Sequence, residues 1–162
     1  MSKTNNPLAS FHEEVLHDSD YIFAEAVAEA KRCLNCKVPQ CRKGCPIHNE
    51  IPQFIQALKE GNLGKAAEHI YHQSDLPAIC GRVCPREKQC EGACVLGKKG
   101  HHMEIGKLER FVADMAIDGG FLPLHVSKKT SGNVALIGSG PASIAAAREL
   151  ALRDYDVTIF EA

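Results

Sequence analysis

Apolar side chains return at helical spacing in four stripes along the first 120 residues. Spacings of three and four residues place side chains on one helix face, so each stripe predicts an amphipathic helix. Polar residues of the helix-capping type precede the first stripe, and glycines end the second and fourth. The caps are Asp18, Ser19 and Asp20, the ends are Gly61 and Gly119-Gly120, and the stripes are Ile22, Phe23, Ala26, Val27 and Ala30; Ile51, Phe54, Ile55 and Leu58; Leu63, Ala66, Ala67, Ile70 and Tyr71; and Ile105, Leu108, Phe111, Val112 and Met115. We predict a small all-helical domain over residues 1–120.

The pattern changes over residues 121–132, whose composition is typical of a linker. The linker residues are Pro123, Lys128, Lys129, Ser131 and Gly132. An apolar run over 133–138 predicts a short buried strand, an alanine-rich stretch to about Arg153 predicts a helix, and 156–160 predicts a second strand. These elements predict the first β-α-β unit of a Rossmann-like dinucleotide-binding domain over residues 133–162. The predicted fold class is therefore mainly α.

A β-α-β unit alone has an open sheet edge and a bare sheet face. We therefore expect this chain to be the N-terminal piece of a longer protein. The alternative is that residues 133–162 pack onto the helical domain as a small appendage.

Composition and charge narrow the function classes. The chain has 162 residues, 44% of them apolar, and a net charge of -1. A packed core is therefore expected, and nucleic acid or an anionic membrane is not an expected partner. No apolar run approaches the roughly 18 residues of a membrane helix, and the polar first seven residues show no secretory signal. We expect a cytoplasmic protein, where thiols stay reduced.

The eight cysteines form two groups of four and are the main chemical signal. The first group is Cys33-x2-Cys36-x4-Cys41-x3-Cys45-Pro46, and the second is Cys80-x3-Cys84-x5-Cys90-x3-Cys94. In a reducing compartment such groups indicate metal binding, either zinc or iron-sulfur clusters. Proline follows Cys45 and Cys84, and the first group resembles the bacterial cluster run C-x2-C-x2-C-x3-C-P with a longer middle gap. Clusters are favoured, zinc is the main alternative, and disulfides or inert thiols are the remaining one.

The spacing leaves the distribution of these cysteines open. In the bacterial run the cysteine before proline serves the other cluster, which would give Cys33, Cys36 and Cys41 to one site and Cys45 to a second. Counting allows two four-cysteine sites, but it does not assign the second group. Six basic residues lie among the cysteines, where they could offset cluster charge or form a solvated surface. They are Lys37, Arg42, Lys43, Arg82, Arg86 and Lys88.

A glycine-rich loop connects the first predicted strand to its helix. The loop is Gly138-Ser139-Gly140-Pro141-Ala142-Ser143, and Glu161 ends the second strand 23 residues after Gly138. Gly138 permits a tight turn, Gly140 permits close approach of a pyrophosphate, and the helix start offers free N–H groups to phosphates. Glu161 would accept hydrogen bonds from a ribose hydroxyl. The loop predicts a dinucleotide site and does not separate FAD from NAD(P). The alternative is an ordinary strand-turn-helix without a ligand.

The order of these motifs resembles the small (beta) subunit of NADPH-dependent glutamate synthase and related FAD/iron-sulfur oxidoreductases, which include the N-terminal region of dihydropyrimidine dehydrogenase. The resemblance covers residues 22–162. The matching stretches are 32–36 (RCLNC), 39–41 (PQC), 45–49 (CPIHN), 76–85 (LPAICGRVCP), 89–94 (QCEGAC), 105–110 (IGKLER) and 137–142 (IGSGPA).

The resemblance implies two [4Fe-4S] clusters and a ligand set for each. The first would be held by Cys33, Cys36, Cys41 and Cys94. The second would be held by Cys45, Cys84, Cys90 and Glu109, at a position where the pyrimidine enzyme has glutamine. Cys80 would then be a non-ligand thiol, and the rival assignment exchanges it with Glu109. Helix geometry alone favours a boundary glutamate that pairs with lysine or arginine.

The resemblance also implies an electron-transfer function. In the family NADPH reduces FAD, and the clusters carry single electrons to or from a partner. The expected role is the electron-transfer portion of a glutamate synthase-like enzyme, with a large subunit or another redox subunit as partner. The FAD site would be incomplete here and the NADPH domain absent, so we predict no catalytic residue and no NADPH oxidation by this chain alone. The alternatives are an electron-input module of the pyrimidine reductase type and a zinc-stabilised interaction module.

Overall fold

The computed structural model describes residues 21–122 and 128–162. The predicted capping residues Asp18, Ser19 and Asp20 and the linker residue Pro123 lie outside the described residues. The elements in chain order are α1 (Phe23–Lys31), α2 (Gln40–Gly44), α3 (Ile51–Lys59), α4 (Leu63–Gln73), α5 (Pro77–Val83), α6 (Ile105–Asp118), β1 (Asn133–Ile137), α7 (Pro141–Leu152) and β2 (Asp156–Phe160).

The four predicted helices are confirmed as α1, α3, α4 and α6, and the structure is mainly helical. Gly61 and Gly120 both have positive φ angles, of 77° and 63°, just beyond the ends of α3 and α6. The positive φ is accessible to glycine without steric cost and lets the chain leave each helix in a new direction. No described helix is long and apolar enough to cross a membrane.

The expectation that all the cysteines lie in connections is corrected at two positions. Cys41 lies within α2 and Cys80 within α5. These helices have only five and seven residues, too few to produce a recognisable apolar stripe. Pro77 sets the helical φ angle at the first turn of α5, and Pro85 disfavours helical geometry at Cys84. α5 accordingly ends at Val83.

The core lies between α1, α3, α4 and α6. Phe54, Ile70, Leu108 and Val112 are fully buried in it. Burial of one such side chain contributes about 1.5–3 kcal/mol, so the four stripes that predicted the helices also hold them together. The cysteine segments surround this core rather than form it, although Cys90 is itself buried.

α5 packs directly on α6 through a glycine. A Cβ atom on Gly81 would lie 2.8 Å from both the backbone N and the Cβ of Arg110. Only a residue without a side chain permits this approach. The contact places Cys80 and Cys84, on and just after α5, beside Glu109 of α6.

The β-α-β unit is present with parallel strands. β1 and β2 pair in register from Asn133 opposite Asp156 to Ile137 opposite Phe160, and α7 packs on them. The expectation of a buried strand is wrong, because no residue of β1 or β2 is buried and Ile137 is 82% exposed. The physical reason is that α7 covers one face of the sheet and no other described element covers the second face.

One polar contact joins this unit to the helical part of the chain. Arg148 of α7 donates from Nη1 to Asp75 Oδ1 at 2.6 Å and from Nη2 to the Tyr71 carbonyl at 2.7 Å. A guanidinium that holds two acceptors at once fixes direction as well as distance. The contact therefore orients α7 on the junction between α4 and α5.

The close helix contact generates a stability prediction. Gly81→Ala should destabilise the chain by about 1–3 kcal/mol, because the methyl group overlaps the α6 backbone. For a chain of this size each kcal/mol lowers Tm by about 2–4 °C. Gly64→Ala in α4 is the matched control, because its nearest neighbouring atom is 3.8 Å away. The control should leave Tm unchanged or raise it. Equal Tm values for the two variants would contradict the proposed packing constraint.

Candidate functional site

Four of the eight cysteines line one cavity. Cys33, Cys36, Cys41 and Cys94 surround a space of about 390 Å³ that is partly open to solvent. Its remaining walls are almost entirely apolar and include Ile51, Ile55, Met103 and Ile105. Soft thiol ligands in an apolar wall are suited to zinc or an iron-sulfur cluster and not to hard cations such as magnesium.

Local backbone geometry brings these four cysteines together. The N–H of Cys33 donates to the Ala30 carbonyl at 3.1 Å, which continues the turn at the end of α1. Asn35 then has a φ of 47°, which reverses the chain between Cys33 and Cys36. A Cβ atom on Gly44 would lie 2.7 Å from the Gln89 carbonyl oxygen. The two cysteine segments are therefore in direct contact, and Cys94 can reach the first group.

The other four cysteines line a second cavity together with one carboxylate. Cys45, Cys80, Cys84, Cys90 and Glu109 surround about 580 Å³, again partly open to solvent. The non-ligating walls include Asn49, Ile51 and Arg86. The structure therefore divides the cysteines between two sites, and it presents five soft or anionic donors at the second one.

Glu109 is held in this cavity with little compensation for its charge. Burial raises its pKa to about 7, while a hydrogen bond from Asn49 and the positive charge of Arg86 act in the opposite direction. Asn49 Nδ2 donates to Glu109 Oε1 at 3.3 Å. The residue as a whole is only half-buried, because its carboxylate faces open cavity space while protein atoms still desolvate it. A bound cation would stabilise this carboxylate.

Cys80 belongs to the same cavity and has its own contacts. The Ser74 hydroxyl donates to Cys80 Sγ at 3.9 Å, and the thiols of Cys80 and Cys84 interact. Because Cys80 and Glu109 both line the cavity, the geometry does not choose between them as the fourth ligand.

Five of the eight thiols are buried strongly enough for their pKa to rise. Burial raises the pKa of Cys41 and Cys84 to about 11 and that of Cys90 to about 12. Burial also raises the pKa of Cys33 and Cys80. A metal centre supplies the positive charge that stabilises thiolates at neutral pH. The donor set therefore fits a bound metal group better than it fits free thiols.

The spread of the donors distinguishes one metal ion from a larger group. Tetrahedral zinc with bonds of about 2.3 Å needs sulfurs about 3.8 Å apart. Within residues 21–122 and 128–162, no three His, Cys, Asp or Glu side chains converge closely enough to hold one metal ion. The thiols instead ring two cavities, an arrangement that fits a multi-iron cluster better than zinc.

The predicted nucleotide loop is formed at the β1–α7 junction. Gly138 has a φ of 91°, so it needs the freedom of glycine, and a Cβ on Gly140 would meet nothing within 4 Å. Gly140 caps α7, Pro141 is its first residue, and Ala142 and Ser143 follow in the first turn, where helix N–H groups lack internal acceptors. The N–H of Ser139 donates to Glu161 Oε2 at 2.5 Å, which lowers the pKa of that carboxyl. Glu161 thus contacts the loop itself, and its ribose contact stays a prediction.

The match to a family model decides what kind of domain this is. Residues 10–121 match the family described as dihydropyrimidine dehydrogenase domain II, 4Fe-4S cluster. The chain belongs to this family. The helical part of the chain is therefore an iron-sulfur domain of the type found in glutamate synthase small subunits and dihydropyrimidine dehydrogenase-like oxidoreductases.

Curated relatives agree with this assignment. The chain is 39% identical over 138 residues to the glutamate synthase [NADPH] small chain of Escherichia coli (strain K12). The aligned residues make up 85% of this chain and 29% of that protein. It is 40% identical over 139 residues to the corresponding small chain of Halomonas elongata, with 85% and 29% covered. It is 40% identical over 136 residues to the NAD-dependent dihydropyrimidine dehydrogenase subunit PreT of Escherichia coli (strain K12), with 84% and 33% covered. The chain thus spans about a third or less of these relatives.

Two contributors to the iron-sulfur domain's second cavity were missed by the sequence analysis. Asn49 is 2% exposed and supports Glu109. Arg86 is packed so closely that a Cβ on Gly106 would lie 1.9 Å from its Cδ, and its Nη1 donates to the Gly81 carbonyl at 2.9 Å. The sequence placed Asn49 in a matching stretch and Arg86 among the basic residues. The sequence alone does not reveal that Asn49 contacts Glu109 of α6 or that Arg86 contacts Gly81 of α5.

The role of Asn49 can be tested against a second asparagine. Asn49→Ala should lower stability by about 1–3 kcal/mol, because it leaves the buried Glu109 without its amide donor, and it should reduce the iron bound at the second site. Asn62→Ala removes a helix cap on α4, where Oδ1 accepts from the Lys65 N–H at 3.0 Å. It should cost about 1 kcal/mol with iron unchanged. Thermal unfolding and iron analysis of anaerobically purified protein check both results. Full iron content in Asn49→Ala would show that Asn49 does not support the site.

Proposed function

We propose that this chain is the electron-transfer portion of an NADPH-dependent FAD/iron-sulfur oxidoreductase of the glutamate synthase small-subunit type. The single observation that carries the proposal is the division of eight cysteines between two separate cavities. Two sites in one small domain suit a chain of one-electron carriers.

The proposed ligands follow the cavities. Cys33, Cys36, Cys41 and Cys94 hold the first [4Fe-4S] cluster, and the pairing of Cys94 with the first group is supported by their shared cavity. The second [4Fe-4S] cluster is held by Cys45, Cys84, Cys90 and Glu109. Glu109 is preferred to Cys80 because a desolvated carboxylate needs a cation more than a neutral thiol does. Cys80 has Ser74 and Cys84 as partners instead.

The proposed flavin half-site is the loop from Gly138 to Ser143 with Glu161. FAD, when bound, converts the hydride of NADPH into single electrons for the clusters. The chain's own contribution is positional, because the turn at Gly138 leaves open space above the loop and the α7 N-terminus offers N–H groups to a pyrophosphate.

The proposed partner is a glutamate synthase large subunit or another redox subunit. The relatives include glutamate synthase small chains and a dihydropyrimidine dehydrogenase subunit at nearly equal identity. An electron-input module for a pyrimidine reductase is therefore the second candidate. The zinc-stabilised interaction module is less favoured, because no described trio of side chains has single-metal geometry.

Metal analysis tests the electron-transfer proposal directly. Anaerobically purified chain should be brown and contain about eight irons and eight acid-labile sulfides, because each [4Fe-4S] cluster contributes four of each. About four of each would mean that only one site holds a cluster. One or two zinc ions without sulfide, persisting after cluster reconstitution, would contradict the proposal and support the interaction module.

Substitutions at the second cavity test the fourth ligand. Glu109→Ala should remove about four irons and four sulfides, because the cluster loses one of its donors. Cys80→Ser should keep all of them. Glu109→Gln is the conservative control and should retain the cluster, because the amide oxygen remains available to iron. If Cys80→Ser loses the second cluster and Glu109→Ala retains it, Cys80 is the fourth ligand and Glu109 is not.

A further inference from the structure

The charge of the chain is concentrated around its cysteines. Residues 31–48 and 82–100 hold ten of the nineteen basic residues and only two of the twenty acidic ones, Glu87 and Glu91. The near-neutral net charge therefore conceals a positively charged region. We call the surface of these two segments the cysteine face.

The arginines of this face are used within the structure. Arg32 pairs with Glu29, Arg82 pairs with Asp114 at 2.8 Å, and Arg86 lies 3.9 Å from Glu91. Arg42 donates to the His48 carbonyl at 3.1 Å. These side chains hold the segments in place and leave little charge for an external partner.

The lysines of the face behave differently. All six are exposed, and none forms an ion pair with any residue that the structure describes. They are Lys31, Lys37, Lys43, Lys88, Lys98 and Lys99. Two [4Fe-4S]²⁺ cores with four anionic ligands each would carry a total of about −4. That charge is smaller than the summed positive charge of the six lysines.

These lysines border both cavities. Lys37 directly follows Cys36 of the first cavity, and Lys43 lies between Cys41 of the first cavity and Cys45 of the second. Lys88 precedes Gln89 of the second cavity, and Lys98 lies two residues after Leu96 of the first. The two segments touch where Gly44 meets Gln89 and Ala93. These four lysines thus lie within two residues, along the chain, of side chains that line the cavities.

Exposed apolar side chains lie among them. Val83 is 71% exposed, Leu34 61%, Val38 57% and Ile47 45%. Apolar side chains within a rim of like charge are typical of a protein-binding surface. A surface that only compensated a buried charge would not need them.

We infer that the cysteine face docks an acidic electron-carrier protein and holds it over the clusters. Complementary charge raises association rates and orients transient partners at small interfaces. Such an arrangement suits electron exchange, because the partner is guided to the cluster openings and leaves quickly. The inference rests on the proposed electron-transfer function and adds the chemistry of the partner.

The test uses the anaerobically purified, cluster-loaded chain and oxidised cytochrome b5 as an acidic probe. Calorimetric titration should give weak binding that falls steeply between 20 and about 200 mM salt. The quadruple variant Lys37→Glu, Lys43→Glu, Lys98→Glu, Lys99→Glu should weaken binding about tenfold or more at low salt. The control is the double variant Lys65→Glu, Lys128→Glu, which reverses charge outside the cysteine face. It should still bind cytochrome b5. Basic cytochrome c should bind the quadruple variant more tightly than it binds the wild-type chain.

A second readout follows single electrons. After reduction with dithionite and its removal, each reduced cluster loses one electron and one ferric haem of cytochrome b5 becomes ferrous. The rate should fall in the quadruple variant and stay unchanged in the control. Unaltered binding in the quadruple variant, or an equal loss in the control, would overturn the inference. Binding to vesicles of phosphatidylcholine with phosphatidylserine, without binding to cytochrome b5, would overturn it in favour of a lipid surface.

The two levels of inference fail separately. Absence of iron and sulfide from the wild-type chain would contradict the proposed function before any partner is added. Full iron and sulfide with no salt-dependent binding of the acidic probe would leave the proposed function standing and reject the docking face. Iron and sulfide are measured in each variant, so that loss of binding is not confused with loss of clusters.

Discussion

The direct packing of α5 on α6 at Gly81 is the contact on which the second cavity depends. Without a side chain at Gly81, the α6 backbone at Arg110 comes close enough to place Glu109 beside the thiols carried by α5. Arg82 then reaches across to Asp114 and Arg86 returns to the Gly81 carbonyl, so polar contacts hold the same helix pair. A larger residue at this position would separate the helices and the donors together.

Both cavities contain groups whose charged forms are costly to bury without a metal. Burial raises the pKa of five of the thiols, Cys90 among them, and of Glu109, so the protein alone does not stabilise the anionic forms of these groups. A metal group that binds the anions recovers this cost as binding energy, which couples metal binding to folding. Cys90 is both a core residue and a cavity donor. The core and the second site therefore form as one unit.

The long helices could be predicted from the sequence, but the contacts between distant segments could not. Stripes such as Ile105 to Met115 are periodic over several turns, and periodicity is a local property. The five residues of α2 and seven of α5 are too short for such a signal. Spacing alone could not join Cys94 to Cys33, and it gave no reason to pair Asn49 with Glu109, sixty residues away. Those contacts depend on how the helices pack. Spacing anticipated that Cys45 lies apart from the other three cysteines of its group, and only the resemblance to a family assigned the second group.

The contacts of Arg148 relate the nucleotide loop to the second cavity. Arg148 holds Asp75 and the Tyr71 carbonyl, and the next residue back from Asp75 is Ser74, which is 2% exposed and donates to Cys80. α7 begins at the loop and carries Arg148 two turns later, a rise of about 10 Å. A rigid helix with one end at the proposed flavin site and its side clamped beside the cavity fixes their separation. Transfer of single electrons between the proposed flavin site and a cluster would require a fixed separation, and the Arg148 guanidinium contributes to fixing it.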